Sequence, residues 1–148
     1  MGANPRGPLR ACSLAVRASL TSFIDEVGAP PALIVGLSGG ADSLALALTV
    51  IDVASRAGIE VVTLTVDHGL RAGSGEEARR VADLAASLGA RAVVETVLVE
   101  GPGGPEGAAR DARRTALRAV AQREDAPILL GHTMDDQAET VLLRLARG

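Results

Sequence analysis

Segments with strand-type and helix-type patterns alternate along most of this chain, and this alternation constrains the fold more than any other feature. Four short apolar runs are predicted as buried strands, at residues 32–37, 60–67, 91–99 and 127–131. Segments with helical periodicity follow them, at residues 42–57, 74–88, 106–123 and 133–146. Strands joined by helical crossovers form a parallel sheet with helices on both faces. The sequence therefore predicts an α/β fold with a doubly wound parallel sheet.

Residues 1–28 are predicted as an N-terminal amphipathic helix that packs on a domain formed by residues 29–148. Apolar side chains recur there at helical spacing, namely Leu9, Cys12, Val16, Leu20 and Phe23. Local signals also predict a capping box from Ser74 to Glu77, a helix cap at Thr133 and an irregular loop over residues 101–105.

Composition narrows the class of protein. Aromatic residues make up 1% of the 148 residues, so a core must be built from Ala, Val, Leu and Ile. The net charge of −3 argues against a strongly basic nucleic-acid-binding module. The single Cys12 excludes a disulfide within the chain and fits a reducing cytoplasm. No apolar run approaches the roughly 20 residues that a membrane span needs.

The turn after the first predicted strand, Gly36-Leu-Ser-Gly-Gly40, allows two interpretations. It matches the G-x-S-x-G pattern of a serine nucleophile on a strand–turn–helix, with Asp67 and His132 following as partners. That interpretation makes Ser38 the nucleophile of a hydrolase. However, it leaves Gly40, Asp42 and Ser43 unexplained, and a hydrolase turn normally follows several earlier strands.

The second interpretation is a phosphate-binding turn. Gly39 and Gly40 permit backbone angles that point several N–H groups inward, at a helix N-terminus that favours anions. Ser38 and Ser43 add hydroxyl groups, and Asp42 beside a phosphate suggests Mg²⁺, although it also suits a helix cap. All 15 basic residues are arginine, so the lysine of a Walker loop is absent.

Two further polar clusters follow predicted strands. Val66-Asp-His-Gly-Leu-Arg71 comes after the second strand, and Gly131-His-Thr-Met-Asp-Asp136 comes after the fourth. The carboxyl ends of parallel strands meet at one edge of the sheet, where ligands of such folds bind. We therefore expect these clusters to share one site with the glycine-rich turn.

These motifs resemble known families. SGGADS resembles the PP-loop signature of the N-type ATP pyrophosphatases. VDHGLR, GPEGAARDARRTAL and GHTMDDQAETVLLRLARG are similar to motifs of the tRNA(Ile)-lysidine synthases. The related tRNA cytidine thiolases carry an iron–sulfur cluster on paired cysteines, which a chain with one cysteine does not provide.

The resemblance implies a ligase that uses ATP and Mg²⁺ as cofactors. In that reaction the C2 oxygen of the wobble cytidine of tRNA(Ile) with a CAU anticodon is adenylylated, with release of pyrophosphate. Free L-lysine then displaces AMP to form lysidine. A cytoplasmic location without membrane attachment is implied, and a homodimer is left open. Family members are considerably longer, so we expect a fragment that binds ATP but forms no lysidine alone.

The resemblance also implies roles for individual residues. The ATP-binding residues would be Ser38, Gly39, Gly40, Asp42, Ser43, Asp67 and His68. The catalytic residues would be Asp42, Asp136 and His132, and the metal ligands Asp42 and Asp135. The substrate lysine would be held by Asp136, Glu139 and either Arg110 or Arg113.

Each of these groups also has a purely structural interpretation. Asp135, Asp136 and Glu139 suit the N-terminus of a helix, where negative charge is favourable. Arg110 and Arg113 suit a solvent-exposed helix face. A nucleotide-binding module without chemistry is the alternative function from another class.

Overall fold

The computed structural model describes residues 8–99, 104–134 and 137–143. The helices are α1 (Pro8–Val27), α2 (Ala41–Ala57), α3 (Ser74–Ser87) and α4 (Gly104–Glu124). The strands are β1 (Ala32–Gly36), β2 (Glu60–Asp67), β3 (Arg91–Thr96), β4 (Ile128–Met134) and β5 (Gln137–Leu143). They form one sheet in the order β3-β2-β1-β4-β5.

The first four strands are parallel, and the chain reverses its direction across the sheet once. It moves from β1 to β2 and β3 on one side, and then returns to place β4 against the other edge of β1. The switch point therefore lies between β1 and β4, and the predicted α/β doubly wound fold is confirmed. Ligands of such sheets bind at this point, beyond the carboxyl ends of the strands.

Helices cover the sheet on both faces, as two hydrophobic clusters show. One cluster joins α1, α2 and α3 to alternate strand residues such as Leu33 and Val35. The other joins α4 to the intervening residues, including Ile34 and Val62. Strands buried on both faces read as continuous apolar runs, which explains why β1 is apolar from Ala32 to Val35.

Helix α1 packs on α2 through both apolar and polar contacts. Val16 and Leu20 are buried in the cluster on the α2 face. The Arg17 guanidinium lies 2.7 Å from the Asp52 carboxylate of α2, a bond that lowers the pKa of Asp52. None of the helices in the described ranges is both long and apolar enough to cross a membrane.

The predicted helix over residues 133–146 is wrong in the described part of that segment. Thr133 belongs to β4, and residues Gln137–Leu143 form β5, antiparallel to β4 from Met134↔Gln137 to Ile128↔Leu143. A short apolar run fits either helix or strand by its pattern alone. Here pairing with β4 satisfies the backbone groups on one side of β5, and β-branched Thr140 and Val141 favour extended structure. Residues 144–148 lie outside the described residues.

Other element boundaries differ by a few residues. The third strand ends at Thr96 instead of residue 99, and β4 continues three residues past the predicted end. Helix α4 begins at Gly104, inside the segment predicted as irregular. Pro105 is tolerated there because the first turn of a helix leaves its N–H groups without intrahelical partners.

Packing of α1 leads to a prediction for stability. Leu20 is 1% exposed, whereas Leu14 on the same helix is 55% exposed. We expect Leu20→Ala to lower the free energy of unfolding by about 2–5 kcal/mol because it opens a cavity in the core. The matched Leu14→Ala should change it by less than about 0.5 kcal/mol. Urea unfolding measures both, and equal effects would contradict the packing of α1.

Candidate nucleotide-binding site

The turn between β1 and α2 is organised around the buried hydroxyl group of Ser43. That hydroxyl donates to the carbonyl oxygen of Gly40 at 3.0 Å and accepts from the Ser38 N–H at 3.2 Å. The Ser38 hydroxyl lies 3.1 Å from it, and the Gly40 N–H donates to the Ser38 hydroxyl at 3.4 Å. The Ser43 hydroxyl donates its only proton to the Gly40 carbonyl oxygen. In the contact between the two hydroxyls, Ser38 is therefore the donor and Ser43 the acceptor.

Position 39 requires a glycine both for its backbone conformation and for its lack of a side chain. Its φ angle is +88°, a left-handed conformation that side chains rarely adopt. A Cβ atom there would lie 3.2 Å from Cγ2 of Val81 on α3. The turn therefore passes close to α3 while Ser38, Gly39 and Gly40 remain exposed to solvent.

The turn leads directly into the N-terminus of α2. The N-cap residue is Gly40, which offers no side chain to bond the first N–H groups of the helix. Asp42 lies in the first helical turn and its residue is exposed. The alternative of Asp42 as the N-cap residue is therefore wrong. Exposed N–H groups and the positive end of the helix dipole favour an anion here.

A cleft of about 350 Å³ opens beside Ser38, between the end of β2 and the first turns of α3. Its lining residues include Ser38, Thr65, Asp67, His68, Ser74 and Val81. The structure thus brings the first two predicted polar clusters together at the carboxyl edge of the sheet.

Asp67 shapes the loop that closes this cleft. Its carboxylate accepts a hydrogen bond from the Gly69 N–H at 2.9 Å. A hydrogen bond from the Ser74 hydroxyl, together with that from Gly69, holds the pKa of Asp67 below its usual range. The predicted capping box is wrong, because Gly73 occupies the N-cap position of α3 and no side chain caps the helix there.

The positive charge of Arg113 on α4 acts on the imidazole of His68, which follows β2. Burial lowers the pKa of His68, the Arg113 guanidinium lowers it further, and the Asp67 carboxylate acts in the opposite direction. Burial and the neighbouring Arg110 and Arg114 lower the pKa of Arg113. Arg113 is half-buried whereas Arg110 is exposed. Of the two arginines, Arg113 is the one that acts electrostatically on His68, a residue of the cleft.

The third predicted cluster lies at the end of β4. A Cβ atom on Gly131 would lie 3.5 Å from the carbonyl oxygen of Asp42, so the backbone of β4 approaches the start of α2. His132 pairs with Glu139 of β5 in the backbone register. Asp135 and Asp136 lie outside the described residues, and the structure does not describe the side chains of His132 and Glu139.

The hydrogen bonds within the turn bear on the nucleophile interpretation. The Ser38 hydroxyl is bonded to Ser43, and the Asp67 carboxylate is bonded to Gly69. Neither group pairs with an imidazole among the described side chains. A serine hydrolase needs a base at its nucleophile and a carboxylate at that base. The observed bonds hold the turn and the neighbouring loop in place.

The carboxylate at the start of α2 fits a Mg²⁺ ion that is held jointly with a phosphate. Among the described residues, no three His, Cys, Asp or Glu side chains could form a metal site by themselves. Mg²⁺ is often bound by one or two carboxylates plus substrate phosphates. Exposed Asp42, next to the glycine-rich turn, suits that arrangement.

Together these features define a class of protein. The domain has a doubly wound α/β sheet, and a glycine-rich turn lies at its switch point, at the N-terminus of a helix. α/β domains with this arrangement typically bind the phosphate of a nucleotide. Comparison with known proteins then identifies the family. The PP-loop domain profile matches residues 13–148, so the chain belongs to the PP-loop family of ATP-binding domains.

The most similar curated proteins include several tRNA(Ile)-lysidine synthases. The protein of this name from Leifsonia xyli is 58% identical over 123 residues, which are 81% of this chain and 37% of that protein. The one from Salinispora arenicola is 53% identical over 145 residues, 95% of this chain and 42% of that protein. The chain therefore spans about two fifths of the length of these relatives.

A solved structure supports the fold. The chain superposes on the U34-tRNA thiolase NcsA from Methanococcus maripaludis, solved with its [4Fe-4S] cluster, with a TM-score of 0.66. The match covers 85% of this chain and 48% of the thiolase at 18% sequence identity. At that identity the similarity concerns the fold alone.

Sequence reasoning missed several residues of the cleft, among them Thr65 and Val81. Thr65 of β2 and Val81 of α3 line it, yet neither belongs to a polar motif. The alternation in Leu64-Thr65-Val66 could have indicated that Thr65 faces the opposite side of the sheet from Leu64 and Val66. No local signal indicates that Val81 approaches Gly39, because that contact joins two separate helical units.

The environment of His68 leads to a pH prediction. Its pKa is lower in the folded chain than its ordinary value of 6.5, so the unfolded chain binds more protons below that pH. The His68 contribution to stability is present above pH 6.5 and is lost as the pH falls toward the folded pKa. We expect the free energy of unfolding to fall more steeply below pH 6.5 in the wild type than in His68→Gln. Urea unfolding across this range measures the difference, and identical slopes would contradict the assignment.

Proposed function

We propose that this chain is the ATP-binding part of a tRNA(Ile)-lysidine synthase. Identities of 58% and 53% to proteins of that name support the proposal. The observation that carries it is the turn from Ser38 to Ser43. That turn combines a left-handed glycine, an exposed backbone and a helix N-terminus at the switch point of the sheet.

In the proposed reaction, the N–H groups of Gly39 and Gly40 hold the pyrophosphate portion of ATP, and the Ser38 hydroxyl turns its proton from Ser43 to a phosphate oxygen. The C2 oxygen of the wobble cytidine attacks the α-phosphorus, and the bond to the β-phosphate breaks with release of pyrophosphate. The ε-amine of L-lysine then attacks C2, the C–O bond breaks, and AMP leaves. The product is lysidine on tRNA(Ile) with a CAU anticodon.

Ser43 acts in this proposal by fixing the turn. Its hydroxyl is saturated by Ser38 and Gly40, so it holds the donors in place before ATP binds. Preorganised donors need no rearrangement as negative charge develops on the leaving phosphate.

Asp42 would hold Mg²⁺ together with phosphate oxygens, with Asp135 as a second proposed ligand. When bound, the cation supplies positive charge that offsets the repulsion between the triphosphate and the surrounding carboxylates. His132, at the end of β4, is proposed to border the phosphates.

Recognition of the substrate lysine is proposed for Asp136, Glu139 and an arginine of α4. Carboxylates suit the ammonium groups, and a guanidinium suits bidentate contact with the lysine carboxylate. The position of Arg113 supports it over Arg110, because Arg113 is half-buried beside His68. The cytoplasmic location and the homodimer stay predictions.

A chimera tests the proposal. The aligned segment of the Leifsonia relative is replaced by this chain, and lysidine formation on a CAU tRNA(Ile) transcript is measured with ATP and labelled lysine. We expect activity in the chimera. Gly39→Ala should lower it by at least about tenfold, because a Cβ strains the turn and meets Val81.

Gly58→Ala provides the matched control. Gly58 has a similar φ angle of +71° but nothing within 4 Å of an added Cβ, and it ends α2 away from the turn. Gly58→Ala should lower the free energy of unfolding about as much as Gly39→Ala does, while the chimera keeps its lysidine-forming activity. A folded, inactive chimera would contradict lysidine formation, and full activity in Gly39→Ala would contradict the phosphate site.

A further inference from the structure

Thr65 carries a hydroxyl group for which the fold provides no partner. Its residue is 3% exposed, and Oγ1 is buried without a hydrogen bond among the described residues. Buried polar groups are nearly always hydrogen-bonded, because losing water without a new partner costs free energy. An unpaired hydroxyl at a binding cleft therefore suggests a bond that forms with a ligand.

The position of Thr65 indicates what that ligand is. Thr65 lines the cleft together with Ser38 of the phosphate-binding turn. The Leu37 N–H donates to the Leu64 carbonyl at 2.9 Å, so the turn leaves β1 directly beside Thr65. A nucleotide whose phosphates lie on the turn would extend its nucleoside into the adjoining cleft.

The walls around Thr65 suit a flat ring. Ala78 and Val81 of α3 supply apolar surface, while the Thr65 hydroxyl supplies a polar group that both donates and accepts. The cleft volume of about 350 Å³ lies within the usual range for small-molecule sites. Apolar walls with a few placed polar groups are the usual design of such sites.

We propose that the Thr65 hydroxyl hydrogen-bonds the base of the nucleotide and contributes to nucleotide selection. The inference rests on the proposed function, since it assumes that the nucleotide phosphates bind at Ser38. It adds a recognition residue that lies outside all the sequence motifs.

Thr63 offers a matched control on the same strand. It lies two residues before Thr65, is 0% exposed and also has an unpaired, buried Oγ1. It does not line the cleft. Thr→Val removes the hydroxyl at nearly constant volume, and loss of an unpaired hydroxyl should not destabilise either variant. Thermal unfolding checks this, and Thr65→Ser, which keeps the hydroxyl, provides a rescue variant.

The experiment is a calorimetric titration of the chain with α,β-methylene-ATP and, separately, with inorganic tripolyphosphate, both with Mg²⁺. We expect Thr65→Val to weaken nucleotide binding by about fivefold to tenfold, the contribution of one neutral hydrogen bond. Tripolyphosphate binding should be unchanged. Thr63→Val should match the wild type for both ligands, and Thr65→Ser should recover most of the nucleotide affinity.

Three outcomes would overturn the inference. Equal nucleotide affinity in Thr65→Val and the wild type would show that the Thr65 hydroxyl makes no bond to the nucleotide. Equal weakening for tripolyphosphate would assign the effect to the phosphate turn. If the loss in Thr65→Val disappears with 2′,3′-dideoxy-ATP, the contact is with the ribose. A folded wild type that binds neither ligand would instead contradict the proposed function, and the inference with it.

Discussion

The buried Ser43 hydroxyl is the interaction on which the site depends. It closes the turn between β1 and α2 by bonding Ser38 and Gly40, and so directs the exposed part of the turn toward solvent. Gly39 completes the turn because only a glycine combines its positive φ with the close approach of Val81. The proposed phosphate-binding surface consists of backbone groups and hydroxyls, without any lysine.

The topology determines what surrounds this turn. Because the chain switches direction between β1 and β4, the turn follows a strand with β2 on one side and β4 on the other. The β2 side carries the cleft with Asp67, His68 and Thr65. Asp67 stabilises the loop of that cleft through Gly69 and Ser74, which gives it a structural role in addition to the proposed one at the nucleotide.

The sequence predicted the parts of the fold that local pattern determines. Strand β2 was predicted with its observed ends, and α2 within one residue, because glycines and polar residues bound both segments. The segment after β4 was predicted as a helix because its acids and Thr133 suit a helix start. Pairing with β4, a contact that local pattern does not reveal, makes residues 137–143 a strand.

The site was predictable where residues form motifs and not where separate elements meet. The glycine-rich turn at a helix N-terminus could be predicted from Ser38 to Ser43 alone. Thr65 and Val81 became visible only when β2 and α3 were placed against the turn. The most direct test of the phosphate turn is an amide NMR titration of the ¹⁵N-labelled chain with magnesium pyrophosphate. The largest shifts should fall on the amides of Ser38 to Ser43. Saturable binding with its largest shifts elsewhere would contradict the account.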